Sequence, residues 1–234
     1  MRLFWLFVLC FLSTNLSSAR SEGKTANISV CVNRDFTAIS DKLALEIFRQ
    51  GIALQTRKIT VMRAEQANAY ALSDGSIVFT TAILAQINSF NELAAIYLHE
   101  VGHLELGHLK IENNNVENIV DLFFSQGATS LFGLLGKAQF SQMKEIEADE
   151  FAMTALGQLG IDPRALATHF GQTSTPSSSD LEYFQTHPSS LARREQVIRA
   201  IGTITIRKNI FGEVRWTKFF PWQCSLKTIH SSSK

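Results

Sequence analysis

Five residues constrain this chain more than any other feature: His99-Glu100-Val101-Gly102-His103, the order H-E-x-x-H. Residues four apart on an α-helix stand one above the other, so His99 and His103 can offer two imidazole nitrogens to a single metal ion. Glu100 lies beside them, where a carboxylate can take a proton from a metal-activated water whose pKa zinc lowers to about 7. The pattern is that of zinc hydrolases. A helix over Asn91 to Lys110 is expected on separate grounds. Ser89-Phe90-Asn91-Glu92 reads as a capping box, and Leu93, Ile96, Tyr97, Val101 and Leu104 form an apolar stripe. Gly102 is the weak point of that helix.

A catalytic zinc takes three protein ligands and leaves one position open. One extension of the pattern requires a glycine three residues and a histidine six residues past the second ligand, but Leu106 and Leu109 stand there. The other requires a glutamate from a later helix, and Lys144-Glu145-Ile146-Glu147-Ala148-Asp149-Glu150-Phe151-Ala152 supplies candidates. Glu145 and Glu147 are turned about 200° apart on a helix, so both cannot face the same metal. Asp149 stands one turn beyond Glu145 on the same face, where it could accept a hydrogen bond from a ligand histidine and fix its tautomer. His108, about 500° around the helix from His103, lies off the ligand face and is expected to be structural or to support a ligand.

At the amino terminus, Arg2, the apolar run Leu3 to Leu12 and the polar stretch ending Ser17-Ser18-Ala19 read as a cleaved secretory signal peptide over residues 1–19. The alternative is an uncleaved anchor. Leu9 before Cys10 argues against lipidation, since a small residue is wanted there. About 215 residues remain, enough for one domain over 20–230 with a short disordered tail, 231–234. A net charge of +1 without a basic run gives no reason to expect a nucleic-acid partner. With Cys10 removed, Cys31 and Cys224 form an even pair. Export would oxidise them to a disulfide tying the two ends together, two separate buried thiols being the alternative.

Along the rest of the chain, Asp41 to Gln50 reads as an amphipathic helix ended by Gly51, and Ile59 to Met62 as a strand. Asn68 to Leu72 leads through a Ser73-Asp74-Gly75-Ser76 turn into a strand Ile77 to Thr80, then a short helix over Ala82 to Ile87. Ser76, Ile77, Val78 and Phe79 are expected to form an edge strand beside the metal helix, able to bind an extended peptide by main-chain pairing. An ordinary core hairpin is the bland alternative. Val116 to Phe140 is apolar but interrupted by Asp121 and Gln126, so two helical pieces around Gly127 are expected rather than a membrane span. They either cover the active-site helix or form a mobile flap or membrane-facing surface over the cleft. A helix from Asp162-Pro163, a polar loop over Gly171 to Asp180, a helix over Ser189 to Ile201 and two weak strands within Thr203 to Phe220 complete the reading. His169 shows no partner, and His230 falls in a polar tail.

Four motifs now stand in a recognisable order: Asn68-Ala69-Tyr70-Ala71-Leu72 with its glycine turn, His99-Glu100-Val101-Gly102-His103 followed by His108, Glu145-Ile146-Glu147-Ala148-Asp149, and Thr186-His187-Pro188 with Arg193. Together they resemble the HtpX and CAAX prenyl protease family, the forty-eighth family of metallopeptidases, over roughly Ile59 to Ile198. The resemblance implies that Glu145, the first glutamate of an E-x-x-A-D pattern, is the third ligand. It also implies that His187 lies near the active site, where it stabilises an oxyanion or occupies the open zinc position and holds the enzyme latent. Arg193 matches the family's arginine and would position substrate or a carboxylate, while Arg194 stands where an apolar residue is more usual.

The expectation is therefore a single-domain α+β zincin of gluzincin type, mostly helical, with a small sheet whose edge strand flanks the H-E-x-x-H helix. It would bind one Zn²⁺ through His99, His103 and Glu145, use Glu100 as base and Asp149 as support, and cleave protein or peptide substrates. Signal peptide and size resemble the family's small periplasmic members, which implies envelope protein quality control. A peptide-binding module using the same cleft without catalysis is the alternative. The oligomeric state is not legible.

Overall fold

In the computed structural model, residues 27–72, 75–109, 140–171, 187, 191–217 and 224–230 are described. The expected signal peptide, nearly all of 116–140, most of the Gly171 to Asp180 loop and the tail 231–234 lie outside them.

Four of the described helices begin with a side-chain cap. Asn33 accepts from the Phe36 amide to start α1 (Arg34–Arg49), Thr80 from the Ile83 amide to start the short α2 (Thr81–Gln86), Ser89 from the Glu92 amide to start α3 (Phe90–Glu105), and Ser141 from the Lys144 amide to start α4 (Gln142–Leu159). In the expected capping box the return bond lands one residue early, with Glu92 Oε2 accepting from the Asn88 amide at 2.8 Å. The helix is 16 residues long rather than the 20 expected, because Gly107 at φ 68° breaks it. Gly107 N–H donates to Leu104 O and His108 N–H to His103 O, the paired bonds that close a helix through a left-handed residue. That closure turns His108 back towards His103, a position that winding the helix onward does not give. Helices α5 (Arg164–Gly171) and α6 (Leu191–Ile201) complete the described set.

The strands are β1 (Asn27–Val32), β2 (Ile59–Met62), β3 (Ala69–Ala71), β4 (Ile77–Thr80) and β5 (Ser225–His230), in one sheet of order β3-β4-β2-β1-β5. β2 and β4 run parallel and the other neighbours antiparallel. The fold is thus α+β, largely helical, with one small open mixed sheet. α3 packs between α4 and β3 and is buried nearly throughout, so the H-E-x-x-H segment sits at the centre of the core.

Three expectations change. Ser76 to Phe79 is not an edge: β4 pairs with β2 on one side and β3 on the other, and all four of its residues are buried, as a β-branched and aromatic run in a central strand should be. The strand at that edge, beside α3, is β3. Next, His230 ends β5, which pairs with β1, rather than lying in a loose tail. Finally, residues 203–217 contain no strand. The Arg207 amide donates to Gly157 O and the Ile210 amide to Leu159 O, so this segment satisfies terminal carbonyls of α4 while Ile204, Val214 and Trp216 pack on the core. Alternating apolar residues serve there without a ladder.

Cys31 and Cys224 are joined in a disulfide that spans 193 residues of sequence and fastens β1 to the start of β5. Among the described residues no helix is long and apolar enough to cross a membrane.

Candidate metal centre

α3 carries His99, Glu100 and His103 and α4 carries Glu145 and Asp149, so the site depends on how closely the two helices approach. Gly102 sets that distance. A Cβ there would lie 3.2 Å from Ala148 O and 3.2 Å from Phe151 Cδ1, so the residue that weakens the helix in isolation lets α4 bring Glu145 over the histidines.

Four ligand atoms converge, from His99, His103, Glu145 and His187, all from buried residues and all within 4.8 Å of one another. His99 Nε2 lies 3.1 Å from His103 Nε2 and 3.3 Å from Glu145 Oε2; His103 Nε2 lies 3.3 Å from Glu145 Oε1. His187 Nδ1 stands 3.3 Å from His99 Nε2 and 3.2 Å from Glu145 Oε1. A tetrahedral ion with bonds of about 2.0–2.1 Å spaces its ligand atoms by about 3.3–3.4 Å, close to these separations, with Glu145 turning Oε2 to His99 and Oε1 to His103 and His187. The donor set agrees, three imidazoles and one carboxylate being borderline ligands suited to zinc.

The outer atoms are fixed too. His99 Nδ1 meets Asp149 Oδ1 at 3.0 Å, and Arg193 grips Asp149 through two nitrogens at 2.8 Å while its third meets Glu145 Oε2 at 2.8 Å. Arg193 is 1% exposed, and its guanidinium nitrogens are turned to these two carboxylates. Glu100 Oε2 accepts from the Ala71 amide of β3 at 2.9 Å, which ties this carboxylate to the edge strand, and its Oε1 lies 3.4 Å from His187 Nε2. Phe140 stacks on the His103 ring, with centroids 3.9 Å apart.

The electrostatics follow from burial and neighbours. Burial opposes a proton on His99, but Asp149 and Glu145 overcome it and raise its pKa to about 10. Burial lowers His103 to about 2, with His99 and His187 adding to the effect. Burial lifts Glu100 above the ordinary carboxylate value against the pull of His187 and His99. Glu145 is held far below that range: burial would raise it, but His187, His103 and His99 surround it. Asp149, despite burial, is lowered by His99 and Arg193. The cluster thus gathers buried imidazole lone pairs and a carboxylate around one point, a donor set suited to a cation.

Comparison with known proteins bears on the same residues. The profile of Peptidase family M48 matches residues 32–201, most of the chain and every residue of the cluster.

The chain belongs to Peptidase family M48.

Among characterised members it is similar to the metalloprotease LoiP of Escherichia coli, 30% identical over 151 residues covering 58% of this chain and 60% of the relative. It is likewise similar to the mitochondrial metalloendopeptidase OMA1 of Arabidopsis thaliana, at 30% identity over 61% of this chain and 31% of the relative. The Beta-barrel assembly-enhancing protease of Yersinia pestis is 27% identical over 53% of this chain and 30% of its own length. The chain therefore spans at most about 60% of these relatives.

Within this M48 chain, sequence reasoning missed three participants. Phe140 gave no signal, and the Ala71 amide, a backbone group, could give none. Glu147 was set aside as facing away from Glu145, and it does; it meets His108 instead, Oε2 to Nε2 at 3.0 Å.

Proposed function

We propose that this chain is a zinc-dependent endopeptidase of gluzincin type, in which His99, His103 and Glu145 hold the metal and Glu100 is the general base. The observation that carries this reading is the set of 3.1–3.3 Å separations among the ligand atoms, with Glu100 Oε1 beside them. Bound zinc would supply Lewis acidity, polarising the scissile carbonyl and acidifying a water. Glu100 takes the proton from the attacking water at Oε1 while the Ala71 amide holds Oε2 still, then returns it to the leaving amine. Asp149, held by Arg193, keeps the His99 proton on Nδ1 and leaves Nε2 free to bind.

We infer that this conformation is a latent one: His187 Nδ1 lies within the ligand cluster, where it would compete with substrate or water for a bound metal, and Ala69, Tyr70, Ala71 and Leu72 are at most 7% exposed, which leaves β3 little accessible to a peptide. On opening, β3 is the strand for substrate pairing. Residues 69 and 71 face away from β4, since Asn68 and Leu72 bond across to Thr80 and Ser76, and both outward amides are already engaged. The strand thus offers the carbonyls of Ala69 and Ala71 to N–H donors of the peptide. The alternative task for His187, donation to the tetrahedral oxyanion, would instead make His187→Ala slower than wild type.

Export to an oxidising compartment, with the periplasm as the working place, is supported by the amino-terminal apolar run and by the Cys31–Cys224 bond. Quality control of envelope proteins rests on family likeness, including a relative named for enhancing β-barrel assembly. The test pairs zinc content with cleavage of unfolded casein. Wild type and Glu100→Gln should each hold about one zinc, with cleavage reduced by about 10²- to 10⁴-fold in the variant. His187→Ala should cleave faster than wild type. Zinc-loaded protein in which neither wild type nor His187→Ala cleaves would favour a peptide-binding module instead.

A further inference from the structure

The two histidines of the H-E-x-x-H pair are steadied by different devices. His99 leans directly on a buried carboxylate, Asp149. His103 leans on another histidine: its Nδ1 lies 3.0 Å from His108 Nδ1, and His108 Nε2 lies 3.0 Å from Glu147 Oε2. His108 is held for this by its own backbone, with its amide bonded to His103 O and its carbonyl accepting from Lys144 Nζ at 3.1 Å. Glu147, on the outer face of α4, keeps about half its side chain exposed at 49%.

For neutral rings, one end fixes the polarity of this chain of groups. An ionised Glu147 only accepts, so His108 carries its proton on Nε2 and donates it there. Its Nδ1 is then an acceptor, so His103 donates from Nδ1 and presents a bare Nε2 to the cluster. The reverse polarity would set two lone pairs against each other at Glu147 and place the His103 proton where the metal must bind.

We propose that Glu147 and His108 are positioning residues that together fix the tautomer and orientation of His103. Glu147 thereby acts on the metal centre from the protein surface without touching it. The inference rests on His103 being a metal ligand, and it assigns a task to the glutamate that faces away from the site.

The experiment measures zinc affinity of the intact chain by competition with a chromophoric chelator. Outer partners of ligand histidines are worth about 10- to 100-fold in affinity, and the solvent-facing, indirect position of Glu147 puts Glu147→Ala near tenfold. Glu147→Gln keeps an acceptor oxygen and should lose less. Glu150→Ala, an exposed neighbour bonded to Gln196, should bind as wild type does. His108→Phe should lose at least as much as Glu147→Ala, and adding Glu147→Ala to it should cost nothing more, because Glu147 acts only through His108. Nitrogen-15 shifts of His103 in the metal-free chain supply a second readout, with the Nδ1–H tautomer dominant in wild type and mixed with Nε2–H in Glu147→Ala. Wild-type affinity in Glu147→Ala, or losses that multiply in the double variant, would overturn the proposal. Failure of the wild-type chain to take up zinc would instead sink the metal-site reading itself.

Discussion

Replacing Arg193 by methionine keeps the volume of the side chain and removes its charge. Three nitrogen–oxygen contacts of 2.8 Å disappear, two to Asp149 and one to Glu145, from a position 1% exposed. Both carboxylates are buried, and each is held below its ordinary pKa in part by positive neighbours. Removing one partner of a buried ion pair costs about 3–5 kcal/mol, because the charge left behind loses a partner without gaining water; His99 stays beside both carboxylates and holds the cost towards the lower end. For a domain of this size each kcal/mol moves the melting temperature by about 2–4 °C, so a fall of about 6–20 °C is expected in the metal-free protein. Zinc should restore part of it by giving Glu145 a new cation, leaving Asp149 as the residual deficit. Arg193→Lys should fall between, since an ammonium cannot grip Asp149 with two parallel bonds. Thermal and urea unfolding with and without zinc measure all three. A metal-free Arg193→Met chain destabilised by less than about 1 kcal/mol would refute the reasoning, because it would mean the carboxylates are solvated without the guanidinium.

Two further outcomes are expected. Gly102→Val forces side-chain atoms into the contact with Ala148 and Phe151, so overpacking should cost about 1–3 kcal/mol, and moving α4 from α3 should weaken zinc binding; an unchanged zinc affinity in the folded variant would contradict the role given to this glycine. Cys31→Ser should lower stability by about 2–5 kcal/mol in urea titrations, and a reducing agent should have the same effect on wild type but none on the variant.

The parts of the molecule legible in the sequence are those whose information is local. Ser89, the apolar stripe and the four-residue histidine spacing announce α3 and its ligand pair, and Ile59 to Met62 and Ile77 to Thr80 announce strands through β-branched density. What escaped depends on partners remote in sequence. β1 and β5 are six residues each, of mixed polarity; β5 becomes a strand against β1, and β1 between β5 and β2. The edge position went to the wrong strand because β-branched density marks a strand without saying how many neighbours it has. Winding the helix on past Glu105 placed His108 away from His103, whereas Gly107 ends the helix and turns His108 back.

The pairing of β1 with β5 also sets a timetable. The first described strand finds its outer neighbour only when the last has been made, and contacts so far apart in sequence are late and slow to form. Until then β1 exposes a bare edge and an unpaired thiol. A polypeptide cut short between His187 and Cys224 would carry its complete set of candidate metal ligands and still present the flank of an unfinished sheet, an invitation to aggregate. In this chain every candidate metal ligand is encoded well before the strand that covers the open flank of its sheet.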